Sequence, residues 1–550
     1  MTKKGGLLGC FGINDYLCSR IAERGLQMGT YINTGNAGFQ SARNGEYVDK
    51  SGLIAIVNAT LNTEQRFSCV TRCRRFGKSL AAKMLNAYYD RSCDSRNLFA
   101  DLKIAHDPSF EKYLNKLYVI YLDTSDFVTR FHDDSILDHI DSEIIEDIHS
   151  AIPDVPVREG DDLMKYLIRV NAAINQQFFF IIDEWDAICR EFAPGSATMN
   201  SYVNWLRRMF KGGQTPQIFA GVYMTGILPI KKYKTESALN NFTEYSMIDP
   251  GDMASFFGFT KSEVKTLAEK YGFDFDELEK WYDGYQIGGE CSMFNPNSVM
   301  QALRKKWCSS YWAATGAYEA VANYIRMNFD GLKDDVVFLL SGGRVKVNTT
   351  KFQNDVSIIQ SKDDVLTVLI HLGYLSYDRV RRDCYVPNWE VAGELSNAVE
   401  DSGWEPVVKA LEQSERLLQA TLDGDEEAVA RGVDVAHDEH TSILSYNDEN
   451  SLACVLSIAY YYAKNDYIMH RELASGKGFA DIVLIPRKNV DSPAIVLELK
   501  YNKDADTAIS QIKRKQYPAK IAEYTDNLLL VGISYDKQLK KHDCRIEQIR

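Results

Sequence analysis

The sequence predicts an α/β chain whose N-terminal part is a parallel sheet covered by helices. Two observations predict it: short apolar runs alternate with stretches of helical period, and two of those runs close in residues suited to binding phosphate and metal. The first run ends in Thr71-Arg72-Cys73-Arg74-Arg75-Phe76-Gly77-Lys78-Ser79-Leu80, the second in Phe178-Phe179-Phe180-Ile181-Ile182-Asp183-Glu184. In such folds ligands lie at the carboxyl ends of the strands, which is where both motifs fall.

Taken in order, residues 45–62 read as a helix leading into a strand at 66–71. A helix at 79–89, a strand at 117–122, a helix at 134–152, the acid-tipped strand at 178–182 and a strand at 217–225 continue the alternation. Between 251 and 335 the pattern turns helical and aromatic, as in Trp281-Tyr282-Asp283-Gly284-Tyr285, which predicts a lid or second subdomain. Residues 365–377 and 383–387 predict a small helix-and-hairpin module, and 394–436 predict helices. The acidic stretch Asp423-Gly424-Asp425-Glu426-Glu427 reads as a solvated loop or helix start. From 451 the α/β order returns: a helix to 464, strands at 482–485 and 494–499, a helix at 506–516 and a strand at 527–533.

The resulting division is an extension (1–30), a P-loop domain (31–250), a helical lid (251–335), a mixed connector (336–445) and a C-terminal α/β domain (446–550). A chain of 550 residues exceeds one hydrophobic core, and 45% hydrophobic content suffices to pack several. The absence of long apolar segments or a convincing leader reads as a cytoplasmic protein with no membrane segment. Eleven cysteines, an odd number without paired CxxC spacing, fit a reducing compartment. Cys69 with Cys73, and His437 with His440, lack a second half and read as ordinary residues. A net charge of −13 excludes a uniformly basic surface but leaves room for one basic face.

Phosphate binding needs backbone N–H groups at a helix N-terminus, a lysine that reaches the terminal phosphates and a hydroxyl for the metal. Gly77, Lys78 and Ser79 supply these, within a cradle running from Arg74 through Arg75 and Phe76 to Leu80. Arg74 and Arg75 can meet phosphate or a neighbouring subunit, or be surface charge. The generic pattern places a glycine five residues before Gly77, where this chain has Arg72. Asp183 is suited to hold Mg²⁺ with Ser79, and Glu184 to polarise the attacking water; the plain alternative is a strand ending in solvent. Asp186 reads as a supporting acid or a helix cap.

With Tyr47-Val48-Asp49-Lys50, residues 72–79, Asp183-Glu184 and Thr225-Gly226-Ile227, residues 28–260 resemble the AAA-ATPase-like domain of a bacterial family that joins it to a C-terminal nuclease-like domain. The resemblance implies ATP, makes arginine at the position of Arg72 a family trait, and implies that Thr225 senses the terminal phosphate. The family typically has proline where this chain has Cys73, which bears on loop rigidity and hydrolysis rate.

A second constellation is Glu472, then Gly476-Lys477-Gly478-Phe479-Ala480-Asp481, then Glu498-Leu499-Lys500. Strand alternation sends Glu498 and Lys500 to one face, and a hairpin through 486–493 brings Asp481 opposite Glu498. Two carboxylates and a lysine are the parts for holding Mg²⁺ or Mn²⁺ and activating a water against a phosphodiester; a structural ion pair is the plain alternative. The pattern GKGxADIVL followed by VLELK resembles the PD-(D/E)XK nuclease superfamily, with its restriction-endonuclease-like fold, over residues 450–535. That resemblance implies Asp481, Glu498 and Lys500 as catalytic residues, Glu472 as a further metal-side acid, and Gln511 near the site. Lys513 and Lys515 make the following helix basic, which suits backbone phosphates or merely a solvated face.

The expected function is an ATP-binding and hydrolysing P-loop domain that controls a Mg²⁺-dependent nuclease in the same chain, with DNA ahead of RNA as partner and a homo-oligomer open. The alternative is a nucleotide-switched assembly factor that grips nucleic acid or protein without cutting.

Overall fold

The computed structural model describes residues 28–549 apart from 194, 231, 234–235, 238, 288–291, 313–328, 330, 341–342, 351, 353–358, 402–404, 441–455, 457–458, 476–477, 488–489, 491, 503 and 515–526. The chain forms two compact units, one of residues 1–313 with 346–391, the other of 314–345 with 392–550.

The first unit is built on helix α1 (Gly52–Thr60), strand β1 (Phe67–Thr71), α2 (Lys78–Tyr89), β2 (Tyr118–Asp123), α3 (Thr124–Arg130), α4 (Ile136–Ala151), α5 (Leu163–Ile174), β3 (Phe178–Asp183), α6 (Ala187–Glu191), α7 (Ala197–Phe210), β4 (Phe219–Gly226) and β5 (Thr243–Tyr245). The five strands lie in the order β2-β3-β4-β1-β5, and every pairing is parallel. Alternation along β3 explains its unbroken apolar run. Phe178, Phe180 and Ile182 enter a core with Ile140, Ile144, Leu167 and Leu206 of the helices on one face. Phe179 and Ile181 enter a second core with Leu53, Val57, Leu85 and Tyr89 from α1 and α2 on the other. A strand covered on both sides has no place for a polar residue until it ends.

The expected helix at 45–62 begins only at Gly52, because Asp49 accepts hydrogen bonds from Ser51 N and Lys103 N, both at 2.8 Å, and holds the preceding residues as a loop. The strand expected from 217 starts at Phe219 because residues 215–218 close a helical turn. Beyond the sheet, α8 (Lys261–Tyr271), α9 (Phe275–Tyr282) and α10 (Pro296–Lys305) share one apolar cluster around Leu278, Tyr282 and Leu303. Thr260 and Glu263 form a reciprocal capping box at the start of α8. Helix α11 (Lys362–Leu372) then leads into a hairpin of β6 (Ser376–Asp378) and β7 (Asp383–Tyr385), the module read from the sequence.

In the second unit, α12 (Glu405–Asp423) and α13 (Glu426–His440) flank the acidic stretch, where Gly424 takes φ 72° and Asp425 caps the next helix by accepting from Ala428 N at 2.9 Å. The sheet runs β8 (Tyr467–Ser475), β9 (Gly478–Pro486), β10 (Ala494–Tyr501), β11 (Leu528–Asp536) and β12 (Lys541–Ile549), with α14 (Ala505–Arg514) making the crossover of the parallel β10–β11 pair. The other three pairings are antiparallel.

Gly226 ends β4 where the chain has no spare room: a Cβ there would lie 2.4 Å from Asp186 Oδ1 and 2.6 Å from Trp185 Cδ1. Gly226→Ala is expected to destabilise the protein by about 1–3 kcal/mol through overpacking. The check is a lower urea midpoint with an unchanged slope.

Candidate nucleotide and nuclease sites

The loop between β1 and α2 owes its shape to two left-handed residues, Arg75 at φ 67° and Gly77 at φ 88°. Nothing lies within 4 Å of a Cβ placed on Gly77, so the space in front of the helix N-terminus is open to a ligand, and a side chain would fill it. Lys78 is 4% exposed; its Nζ donates to Cys73 O at 3.2 Å and stands 4.0 Å from Glu184 Oε1.

The absence of the generic first glycine has a structural reason. Arg72 is fully buried, and its Nη1 donates to Thr71 O at 2.9 Å and Tyr245 O at 2.7 Å, tying the ends of β1 and β5 together over the Phe257 ring. Burial lowers its pKa to about 10. Phe76 is core, packed edge-on against Tyr285 at 5.0 Å, and Arg75 donates to Tyr311 O. Arg74 is half-buried, and burial, then the neighbouring Arg190, lowers its pKa. Cys69 and Cys73 are buried free thiols.

Register aligns the acids with this loop. Asp123 pairs with Asp183 across β2 and β3, while β4 lies between β3 and β1 and pairs Thr225 with Val70. Asp183 is 1% exposed and accepts from Tyr121 Oη at 3.0 Å. Burial, then the nearby Asp123, raises its pKa to about 6, against relief from the Ser79 hydroxyl. A buried carboxyl that binds its proton too tightly, in contact with a serine hydroxyl, is a fitting pair of ligands for a hard cation. Glu184 sits in the left-handed region at φ 51°, its carboxylate shared between Lys78 and Arg190, the latter at 2.7 Å. Thr225 Oγ1 is buried without a hydrogen-bond partner among the described residues. Asp186 does not cap its own helix: it accepts from Ile227 N at 3.1 Å and Leu228 N at 2.9 Å and so pins the chain just after Thr225.

Three residues at this cluster escaped the sequence reading: Tyr121, Asp123 and Arg190. For the first two the signal was available, because the strand predicted to stop at 122 closes in an acid just as the Asp183 strand does. Beside Gly77, a cavity of about 250 Å³ lies between Val48, Leu80, Met84 and Met300, mostly apolar in lining.

In the second unit Glu498 and Lys500 share a face of β10, and Leu499 faces the opposite core. Glu498 is 1% exposed, with Lys500 Nζ at 3.3 Å, and it accepts from Gln511 Nε2 on α14. Gly532, paired with Glu498, lets α14 come this close, since a Cβ there would meet Ala505 O at 2.6 Å. Lys500 Nζ also donates to Leu499 O at 2.6 Å. The pair Ile482↔Leu497 puts the next position of β9, Asp481, beside Glu498, and the pairs Arg471↔Ile482 and Leu473↔Ala480 bracket Glu472 against Asp481. Glu472, Asp481 and Glu498 thus occupy one row of backbone positions across three strands, although the side chains of Glu472 and Asp481 lie outside the described part. Strand β9 begins at Gly478, four residues before the start expected at 482. Lys513 pairs with Glu547 at 2.5 Å on the surface, and Lys515 lies outside the described residues.

Comparison with known proteins finds two family matches along the chain. Residues 35–235 match the family described as "Predicted AAA-ATPase", and residues 447–543 match the PD-(D/E)XK nuclease superfamily. The chain carries an AAA-ATPase-like domain followed by a PD-(D/E)XK nuclease superfamily domain. A curated relative, an uncharacterized protein in the vnfD 5′ region of Azotobacter chroococcum mcd 1, is 25% identical over 298 residues, which is 50% of this chain and 52% of the relative; the match therefore spans about half of either protein. Similar solved structures include the ORC2 protein of Aeropyrum pernix (11% identity, 66% of this chain and 99% of that one, TM-score 0.29). The ORC1 protein of the same organism in complex with DNA shares 14% identity over 69% of this chain and 99% of that one, at a TM-score of 0.23. Among the described residues no helix is long and apolar enough to cross a membrane.

The Asp183 carboxyl gives a pH signature to the nucleotide-free protein. Its folded pKa of about 6 lies above the value of about 4 expected for an unfolded chain, so between those values the folded state holds more protons. Stability therefore falls as pH rises through that window, by up to about 3 kcal/mol from this group, and stays low above it. Asp183→Asn is expected to flatten that part of the profile and to raise stability at pH 7.5, read from urea midpoints across pH 4.5–7.5. An unchanged profile contradicts the assignment.

Proposed function

We propose that the N-terminal domain binds and hydrolyses ATP and that the C-terminal domain hydrolyses phosphodiester bonds, with DNA as substrate and the nucleotide state governing cutting. The observation that supports the first half is the convergence of Lys78, Ser79, Asp183 and Glu184 on the open space in front of Gly77. Backbone N–H groups of the loop and the start of α2 bind the phosphates, Lys78 exchanges its bonds to Cys73 O and Glu184 for the terminal phosphate, and the cavity lined by Val48 and Met300 takes the base. Ser79 and Asp183 would hold Mg²⁺, which when bound supplies charge neutralisation at the phosphates. Glu184, held between Lys78 and Arg190, orients the attacking water once Lys78 turns to phosphate, and Thr225 Oγ1 donates to the terminal phosphate. Arg74, within electrostatic reach of Arg190 and Glu184, would add positive charge at this end of the loop.

Support for the second half is the row of Glu472, Asp481 and Glu498 across three strands, with Lys500 beside Glu498. Asp481 and Glu498, with Glu472 alongside, would hold Mg²⁺ or Mn²⁺, which when bound makes a water nucleophilic near neutral pH. Lys500 holds that water's position and balances charge on the phosphate, while Gln511 fixes the Glu498 carboxylate. Governing of cutting by nucleotide rests on the covalent joining of the two domains in one chain.

The roles separate by mutation. Lys78→Ala is expected to lower nucleotide affinity at least tenfold, and Glu184→Gln to keep binding while slowing hydrolysis by about 10²-fold or more. Glu498→Ala and Lys500→Ala are expected to abolish metal-dependent cutting of duplex DNA while leaving nucleotide binding unchanged. Fluorescent-nucleotide titration, phosphate release and a gel-based cleavage assay check the three. Cutting by Lys500→Ala at the wild-type rate rejects the second site and leaves a nucleotide-switched binder.

A further inference from the structure

The hairpin β6–β7 has no part in either site, yet its tip reads Arg379-Val380-Arg381-Arg382, three arginines in four residues of a chain whose net charge is −13. All four tip residues are exposed, Val380 at 88%. The tip is preformed. Asp378 Oδ1 accepts from Val380 N at 3.0 Å and Arg381 N at 2.9 Å, Arg382 N donates to Asp378 O at 2.7 Å, and Val347 N donates to Arg382 O at 3.2 Å. The carboxylate of Asp378 is thus engaged at the base of the turn, 10% exposed, with Arg381 Nε 3.7 Å from its Oδ2, while Arg379 and Arg381 remain 68% and 66% exposed.

Beside the tip lies a groove of about 760 Å³ whose lining includes Lys346, Arg379 and Arg382 together with Asn348, Thr349 and Thr350. Cations beside neutral hydroxyl and amide groups match a sugar-phosphate backbone, where arginine binds phosphate oxygens in pairs and hydroxyls add neutral hydrogen bonds. Two acids, Asp249 and Asp363, also line it. The Arg379–Asp249 pair, at 2.7 Å, is 68% and 62% exposed, so it contributes little in water and is readily exchanged for a phosphate contact. Helix α11 is buried from Asp364 to His371 and offers no reading face, which leaves the hairpin as the projecting element. A bare valine held between arginines has the composition of elements that enter the minor groove of DNA, where an apolar side chain wedges at a base step and arginines follow the narrow, negative groove. The wide, shallow minor groove of duplex RNA offers no such fit.

We infer that the 379–382 hairpin is a second nucleic-acid contact, on the ATPase-bearing unit, that binds duplex DNA through its minor groove and flanking phosphates. It goes beyond the two-site reading and needs neither site to turn over. The test uses the full chain in EDTA, so that cutting does not intervene, and fluorescence anisotropy on a labelled 30-base-pair DNA duplex over a range of salt. The triple substitution Arg379→Ala, Arg381→Ala, Arg382→Ala is expected to weaken binding 10–100-fold and to reduce the slope of log affinity against log salt by about 2–3. Val380→Ser alone is expected to weaken binding several-fold with the salt slope unchanged. Nucleotide affinity and thermal midpoint report that the variants are folded; these exposed side chains leave both as in wild type. Equal DNA affinity and salt slope in wild type and triple variant overturn the proposal, as does equal loss on duplex RNA or on anionic vesicles. Loss of cutting in Glu498→Ala with full hairpin-dependent binding supports both readings. Loss of hairpin dependence with intact cutting rejects this one alone.

Discussion

Taking a carboxylate out of water at the end of a strand that is apolar on both faces is unfavourable, and the arrangement around Asp183 answers that constraint. Its strand must be buried on both sides to hold the sheet together, and under the proposed function its last side chain must still carry charge for a hard cation. The neighbouring Asp123 makes ionisation harder, while the Tyr121 and Ser79 hydroxyls make it easier without supplying a positive charge. Lys78, at the start of α2, is engaged with Cys73 O and Glu184 instead. The cluster is therefore short of positive charge at one point, and the proposed ligand, a metal-bound triphosphate, would bring its metal to Asp183 and its phosphates to Lys78.

The same economy of backbone runs through the loop. A generic phosphate loop relies on glycine at its first position, whereas here Arg72 uses its guanidinium to join β1 to β5 from beneath. Left-handed geometry is confined to Arg75 and Gly77 on the loop and Glu184 opposite. Strain of this kind, of order 1–3 kcal/mol at a non-glycine residue, persists where surrounding contacts enforce it. Arg75 and Glu184 are so held, by Tyr311 O and by Thr124, which donates to Glu184 O.

Much of this was legible in the sequence because parallel strands buried on both faces write themselves as continuous apolar runs. The strands ending at Thr71 and Asp183 carry that signature; the helix after Gly77 is legible from its helical period, the antiparallel β9–β10 hairpin from its two apolar runs, and the pairing of Glu498 with Lys500 from strand alternation. What stayed hidden lacked it. Strand β12 lies at a sheet edge with alternate residues in water, so Lys541, Asp543 and Arg545 mask its period. Strand β8 is interrupted by His470, Arg471 and Glu472, and β5 is only three residues long. Arg190 joins the cluster around Glu184 through spatial neighbourhood alone, which spacing along the chain does not encode. The clamp made by Arg72 could not be anticipated either, because its partner at Tyr245 lies 173 residues away.

The central claim is that the buried acid at the strand end and the lysine on the facing loop form a single receptor for a metal-bound nucleotide. Calorimetric titration of a non-hydrolysable ATP analogue into the full chain, with and without Mg²⁺, tests it most directly. The account predicts one saturable site per chain in Mg²⁺ and affinity weaker by about tenfold or more, about 1.4 kcal/mol, when the metal is withheld. Equal affinity in the two conditions, or no binding in either, would contradict it.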